Sequence, residues 1–439
     1  MTGQEVLKTI KRKKVAFVRL WFTDVLGFLK SFDMRVGELP GAFKDGMGFD
    51  GSSIEGFSRI EESDMVVKPD PDTFQIMPWI QEKRPVARMF CNVLEPGGRP
   101  FDGDPRYVLK KNLKEAREMG FIFNVGPELE YFYFRNAGGT EILDKGGYFD
   151  LTPMDIGQDL RRKTVLMLEK MGIDVEYWHH EVASSQHEID LRYQEALKMA
   201  DNVMSYRMIV KEVAMSQNLY ATFMPKPIYG VNGSGMHTHM SLFRGKKNAF
   251  FDPKDKFHLS KPAKYFIAGL LKHAREICSI TCQWVNSYKR LVPGYEAPVY
   301  VSWAQRNRSA LVRVPVYKPG KEKATRVELR NPDPACNPYL AFSVMLAAGL
   351  EGIKKKYPLP PEVTNNIYEM TDEEREKANI ECLPDDLFEA IKITESSDLV
   401  KRALGEKVFK YFIRNKKDEW NEYKKQVTKH EIEKYLPIL

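Results

Sequence analysis

Two histidines and a serine alternate with other residues in Met236-His237-Thr238-His239-Met240-Ser241-Leu242, directly after the loop Asn232-Gly233-Ser234-Gly235. In a strand, residues two apart share a face, so both imidazoles and the Ser241 hydroxyl point the same way. The glycines before them let the backbone turn and come close to a ligand. A half-buried strand whose histidines find backbone partners would read the same, so the other ionisable residues decide. Glu128 and Glu130 share one face of the aromatic stretch 121–134, where two neighbouring carboxylates repel unless a cation lies between them. Glu181 and Glu188 belong to the densely ionisable stretch 175–190, read as two short strands joined at Ser184-Ser185 so that the carboxylates face one another. Arg326, Glu328 and Arg330 alternate with Val327 and Leu329, downstream of Arg306, Arg308 and Arg313. Alone, that pattern fits an ion-pair ladder as well as an anion site.

Together these strands offer several carboxylates and a histidine on polar faces. An oxygen-rich donor set suits Mg²⁺ or Mn²⁺ and argues against zinc. Arginines in excess beside divalent ions suit a polyphosphate and its transferring phosphoryl group. Neither a Walker loop nor Gly-x-Gly-x-x-Gly is present, so neither nucleotide fold is supported. The residues therefore point to metal-dependent phosphoryl transfer on antiparallel strands, with the acceptor unidentified.

The elements that must position this chemistry belong to an ordinary globular composition. The 439 residues supply material for two or three domains, and 43% are hydrophobic and 29% charged. A net charge of +7 over that length is a weak argument for nucleic acid, and no such motif accompanies it. Five cysteines without a Cys-x-x-Cys pair suit a reduced, intracellular protein. No signal peptide follows the basic residues 8–14 and no stretch approaches a membrane span, so the expected location is the cytoplasm.

In chain order, the patterns predict a helix near 5–10, strands at 15–22 and 28–34, and a glycine-rich loop at 47–57 that carries Asp50. Pro69 and Pro71 mark 65–77 as an irregular or edge segment, and 85–93 returns to strand. The turn cluster at 97–105 sets a boundary, giving domains 1–102 and 103–439. Helices are expected over 105–118, 155–171, 196–217 and 258–280, and the chain is mainly helical after 337. Leu399, Val400, Ala403, Leu404, Val408, Tyr411 and Phe412 form a packing stripe at helical spacing.

At the loop Asp50-Gly51-Ser52-Ser53 and at 232–242, 286–298, 306–315 and 326–334, the chain closely resembles glutamine synthetase of type I, over nearly its whole length. The resemblance implies an α+β fold: a small N-terminal β-grasp domain, then a large catalytic α/β domain on a curved antiparallel sheet. It implies ligation of ammonium to L-glutamate, driven by ATP through γ-glutamyl phosphate, with two or more Mg²⁺ or Mn²⁺ ions. By position, Glu130, Glu181 and Glu188 correspond to ligands of the first metal, and Glu128, His237 and Glu328 to those of the second. Glu176, Tyr193, His239, Ser241, Lys323 and Arg326 correspond to nucleotide contacts, and Arg308 and Arg313 to phosphate contacts. Asn232, Gly233, Arg290 and Arg330 match the glutamate-binding set. Glu296 corresponds to the flap that closes the site, and Asp50 to the base that takes a proton from ammonium. Both are expected to help bind ammonium.

The resemblance also implies a homo-oligomer of two stacked six-membered rings with sites shared between subunits. Tyr368 lacks the prolines that usually follow the modified tyrosine, so no adenylylation is expected. Arg59 resembles the arginine linked to glutamine feedback, and Arg19 with the basic run 11–14 could serve 2-oxoglutarate or a small regulatory protein, a solvated face being the plainer alternative. Ser184-Ser185 stands where relatives often have Pro-Gly. Two rival functions share many of these residues: a γ-glutamyl-amine (polyamine) ligase, and a non-catalytic structural or regulatory homologue. Asp50, Ser53 and Tyr295-Glu296 favour ammonia over a larger amine, and the six metal-ligand positions favour catalysis.

Overall fold

The computed structural model describes residues 1–52, 54, 56, 64–80 and 84–439. The chain opens with the helix Gly3–Lys13, started by a reciprocal capping box between Thr2 and Glu5. Six strands follow: β1 (Phe17–Thr23), β2 (Leu29–Arg35), β3 (Met47–Asp50), β4 (Asp64–Pro69), β5 (Gln75–Ile76) and β6 (Val86–Leu94). They lie in the order β2-β1-β6-β4-β3, with β5 also on β6. The β1–β6 pair is parallel and the other pairs are antiparallel. Val6 and Ile10 of the helix join Val18, Leu20, Met89, Cys91 and Val93 in a core of their own.

Of the segment 65–77, expected to be irregular or an edge, residues 65–69 instead form a strand inside this sheet, because β4 pairs with both β3 and β6. The rest holds a short 3₁₀ turn and the strand β5, which lies beside β6 off the main strand order. The prolines permit the inner strand: Pro69 is its last residue, and Pro71 opens the 3₁₀ turn beyond it. No ladder N–H is lost from the middle.

The larger part carries β7 (Ile122–Phe134), β8 (Val175–His180), β9 (Gln186–Leu191), β10 (Gln194–Glu195), β11 (Tyr220–Thr222), β12 (Met236–Arg244), β13 (Lys247–Asn248), β14 (Tyr300–Ala304), β15 (Ala310–Arg313) and β16 (Val327–Leu329). Their order is β14-β15-β16-β12-β7-β9-β8, with β10 and β11 on β7 and β13 on β12. Neighbours are antiparallel except β14 and β15, which run parallel.

Strand β7 explains why this sheet has two unlike faces. Phe123, Val125, Leu129, Tyr131 and Tyr133 point into the main core. There they meet helices such as Ala196–Met215, whose Tyr206 donates its hydroxyl to Leu129 O at 3.1 Å. Each fully buried aromatic of this kind contributes about 1.5–3 kcal/mol relative to exposure. The alternate residues Asn124, Gly126, Glu128 and Glu130 are left for the opposite face.

The two sheets share a seam. Trp21, Val25 and Phe90 belong to the main core. Arg106, 3% exposed, donates to Asp201 and Asp70 at 2.9 Å and to Asn92 at 2.7 Å, which ties the helix Pro105–Glu118 to the first sheet. The helix expected over 258–280 is divided at His273 into Lys261–Lys272 and Ala274–Thr281, since the backbone there (φ −103°, ψ 9°) leaves the helical region. Among the described residues no helix is long and apolar enough to cross a membrane.

Candidate active site

The strand registers place ionisable residues in a row across five neighbouring strands. Glu188 of β9 pairs with Glu130 of β7, Glu128 of β7 with His237 of β12, His239 of β12 with Glu328 of β16, and Glu328 with Arg313 of β15. The row borders a cavity of about 550 Å³, also lined by Glu181, Asn232, Gly233, Arg290, Glu296, Arg308 and Arg330. Thirteen of the residues singled out from the sequence thus converge on one cavity, although they come from segments up to two hundred residues apart.

At one end the carboxylates crowd. Glu130 Oε2 accepts from the Gly235 N–H and the Gln186 amide, each at 2.9 Å. Burial, then the charge of Glu181, still pushes its carboxyl up to about 8. Glu188 is likewise raised well above the ordinary range by burial and by Asp190, with His179 Nε2 3.1 Å from its Oε2. At the other end positive groups prevail. Burial works to raise Glu128, but His239, 2.6 Å away, and His237, 3.4 Å away, hold it well below the usual range. Glu328 is also buried, yet His239 and Arg330 lower it, and Arg313 and Arg330 both form ion pairs with it.

Of the three groups of donors tight enough to hold an ion among the described residues, two belong to this site: His179, Glu181 and Glu188, and Glu128, His239 and Glu328. The resemblance instead placed Glu130 with the first pair of carboxylates and His237 with the second. Glu130 sits opposite Glu188, and His237 Nδ1 is 4.0 Å from Glu328 Oε1, so both adjoin those groups.

The loop before β12 is shaped by what its glycines lack. A Cβ on Gly233 would lie 2.3 Å from Pro225 O, and one on Gly235 would lie 2.5 Å from Arg290 Nη2. Arg290 is held beneath this loop by the carbonyls of Asn331 (2.7 Å) and Arg330 (3.2 Å). Glu296 takes a left-handed backbone (φ 56°), uncommon for a residue with a side chain, and accepts from the Asn232 amide at 2.9 Å.

The residues expected at a nucleotide lie beyond the cavity, along the same strand faces. His239 and Ser241 pair with Gly126 and Asn124 of β7, and Tyr193 packs over Gly126, where a Cβ would meet it at 3.2 Å. Arg326 Nε donates to His239 Nδ1 at 3.1 Å, and the exposed Lys323 lies in the turn before β16, its carbonyl bonded to Asn248. Glu176 is exposed on β8. Asp50 does not line the cavity of its own chain; it ends β3, exposed, and accepts from Ser52 N at 2.8 Å. Arg59 and Ser53 lie outside the described residues.

Several lining residues were not singled out. His179 and Gln186 each stand two positions before a chosen glutamate, so strand alternation could have found them. Tyr177 follows the same rule, as does Asp190, which stands next to the cavity lining and pairs with both Glu128 and Tyr177. Tyr148 comes from an aperiodic loop that carried no signal. Tyr368, considered from the sequence only as a modification site, also lines the cavity and donates its hydroxyl to Ala297 O at 2.8 Å, beside Glu296.

Residues 102–435 match the family model for the glutamine synthetase catalytic domain, and residues 14–96 match the model for its β-grasp domain. A glutamine synthetase of Methanosarcina mazei is 53% identical, covering 100% of this chain and 98% of its own length. One from Thermotoga maritima is 50% identical, covering 99% of this chain and 100% of its own length. Among solved structures, the GmaS/ADP complex superposes with a TM-score of 0.90 at 30% identity, covering 98% of this chain and 99% of that one. A cryo-EM structure of Plasmodium falciparum glutamine synthetase gives 0.90 at 27% identity, covering 99% of each chain.

Proposed function

The chain belongs to the glutamine synthetase family, and from that premise we propose that the cavity bordered by β9, β7, β12, β16 and β15 is where its reaction takes place. The protein is a glutamate–ammonia ligase that makes L-glutamine from L-glutamate and ammonia, with ATP as the driving substrate. The observation that carries the location is the staggered series of cross-strand carboxylate, imidazole and guanidinium partners over five strands, all of which except His239 line one cavity.

In this reading Glu130, Glu181 and Glu188 hold one Mg²⁺ or Mn²⁺ ion, and Glu128, His237 and Glu328 hold another. The residues fit such ions: the donors are mostly hard oxygens, and Glu130 and Glu188 are buried carboxylates that a cation would relieve of each other's charge. Bound divalent ions supply Lewis acidity toward phosphate and carboxylate oxygens. Arg290, Arg330, Asn232 and Gly233 position glutamate, whose γ-carboxylate attacks the ATP γ-phosphorus to give γ-glutamyl phosphate and ADP. Arg308 and Arg313 stabilise the charge that builds on the phosphoryl oxygens in flight. His239, Ser241, Tyr193, Glu176, Lys323 and Arg326 hold the nucleotide at the far end of the row. Glu296 closes over the acyl phosphate and excludes water. Asp50 takes the proton from ammonium, and the ammonia displaces phosphate.

Asp50 is exposed and absent from its own chain's cavity, which supports its reaching a neighbouring subunit's site in two stacked six-membered rings. The cytoplasm suits five free cysteines. A larger-amine ligase or a non-catalytic homologue is not favoured, because relatives near 50% identity over the full length are glutamine synthetases. The test is product formation from glutamate, ATP and Mg²⁺ with ammonium, putrescine, spermidine or ethanolamine as acceptor. Ammonium should be used far faster than any amine, and a preferred amine would overturn the assignment.

A further inference from the structure

Gln186 opens β9, 1% exposed, two residues before Glu188 and on the same face of the strand. The turn before β9 sets its side chain. Gln186 Oε1 accepts from Ala183 N at 3.2 Å, while its backbone N–H donates to Ala183 O at 3.0 Å and its carbonyl accepts from Glu181 N at 2.8 Å. With Oε1 committed to a backbone N–H, the orientation of the amide is fixed and its nitrogen points away from the turn.

There Nε2 meets acceptors from two different parts of the site. Glu130 Oε2 lies 2.9 Å away, Gly233 O 3.0 Å and Ser234 Oγ 3.4 Å. The nitrogen carries two hydrogens, so Glu130 and Gly233, at the better distances, take one each. Glu130 Oε2 accepts from Gly235 N as well, and Glu130 N donates to Gly235 O at 3.1 Å. Oε2 is thus filled, whereas Glu130 Oε1 takes part in no hydrogen bond among the described residues. The loop is held on either side of Gly233: Ser234 N donates to Pro225 O at 2.8 Å, and Asn232 reaches Glu296. Among the described residues the Gly233 carbonyl itself has Gln186 as its hydrogen-bond donor and no other.

The residue type matters here. An ammonium or guanidinium would grip Glu130 more tightly, but its charge would compete with a cation. An amide supplies two donors and no net charge. Resting on the reading of the site given above, we infer that Gln186 is a positioning residue that serves one cation and glutamate together. It turns Glu130 so that Oε1 is left for the ion, and it locks the Gly233 peptide in the loop that meets glutamate. None of its hydrogen bonds reaches Glu128, His237 or Glu328. Loss of the amide leaves the Gly233 carbonyl without a donor and Glu130 with one fewer, so the damage falls on one half of the site.

The test uses the full chain with Gln186→Met, which keeps the length of the side chain and removes the amide. Titration calorimetry with MnCl₂ should show one class of site weakened roughly ten- to a hundredfold and the other unchanged. The KM for glutamate should rise while that for ATP stays constant. Gln186→Glu is the second variant, because it keeps an acceptor for Ala183 N and the shape of the side chain. It offers at most one hydrogen where the amide offers two, so its KM for glutamate should rise while its melting temperature and its KM for ATP match the wild type. Unchanged Mn²⁺ affinities and glutamate KM in both variants, with an active wild type, would overturn the inference alone. Equal weakening of both Mn²⁺ classes with a raised KM for ATP would also overturn it, by reducing Gln186 to general stability. A wild type that forms no glutamine would instead overturn the reading of the site and this inference with it.

Discussion

Asn232 donates its side-chain amide to Glu296 Oε2 across 2.9 Å, joining the loop before β12 to the segment that follows the helix Val285–Arg290. Glu296 holds this contact from a left-handed backbone flanked by Gly294, itself at φ 93°. Strain of that kind persists where the surroundings impose it, here at the mouth of the cavity. Glu296→Ala removes the carboxylate that bridges the two segments, so water gains access to the activated intermediate. The expected result is fewer glutamine molecules formed per ATP consumed, read by assaying phosphate and glutamine together. A ratio equal to that of the wild type would assign Glu296 no part in excluding water.

Arginines in the site divide by their partners. Arg313 and Arg330 form ion pairs with Glu328, whereas Arg308 is exposed and has no carboxylate ion pair among the described residues. An unneutralised guanidinium is best used where charge develops during phosphoryl transfer. Arg308→Ala should lower kcat by about 10²–10³-fold and change the KM for ATP little. A raised KM with kcat intact would make Arg308 a ground-state anchor.

Asp50 ends β3 in the first sheet and does not line the cavity of its own chain. If it serves a neighbouring subunit, Asp50→Ala and Arg308→Ala chains, each nearly inactive alone, should regain activity when unfolded together and refolded as a mixture. Some interfaces would then pair an intact Asp50 with an intact Arg308. Mixed oligomers that form and stay inactive would return Asp50 to its own chain.

Divalent ions should stabilise the fold, because they bind the native site and not the unfolded chain. At a concentration 100 times the dissociation constant the gain is about 2.7 kcal/mol for one site. Addition of Mn²⁺ to chelator-treated protein should therefore raise the melting temperature in wild type, and less in Glu188→Gln. An unchanged melting temperature in wild type would argue that the carboxylates bind no ion.

Much of the site was legible because strands repeat every second residue. Glu128 with Glu130, and His237 with His239, were assigned to shared faces, and β7 and β12 set them side by side. Glu181 and Glu188 came instead from reading two short strands joined at Ser184-Ser185, a reading that stopped at carboxylates and left out His179, Gln186 and Asp190 on those strands. Tyr148 was beyond reach: its loop has no period, and it is delivered by contacts between Asp144 and Ser185, 41 residues apart. Prolines misled at β4 because only their place within a strand, not their presence, decides whether a ladder bond is lost. The parallel pairing of β14 with β15 depends on how the chain returns between them, which local patterns do not encode. The roles of individual residues toward glutamate, nucleotide and ammonium came from resemblance alone.

Two cations held by separate halves of one series of residues are what the proposed reaction depends on, and Mn²⁺ stoichiometry measures that directly. Equilibrium binding should find at least two Mn²⁺ per wild-type chain. Glu188→Gln should lose one of them and nearly all turnover while keeping the far-ultraviolet circular dichroism of the wild type, and Glu328→Gln should lose the other. Unchanged stoichiometry in both variants, or a single Mn²⁺ per wild-type chain, would contradict it.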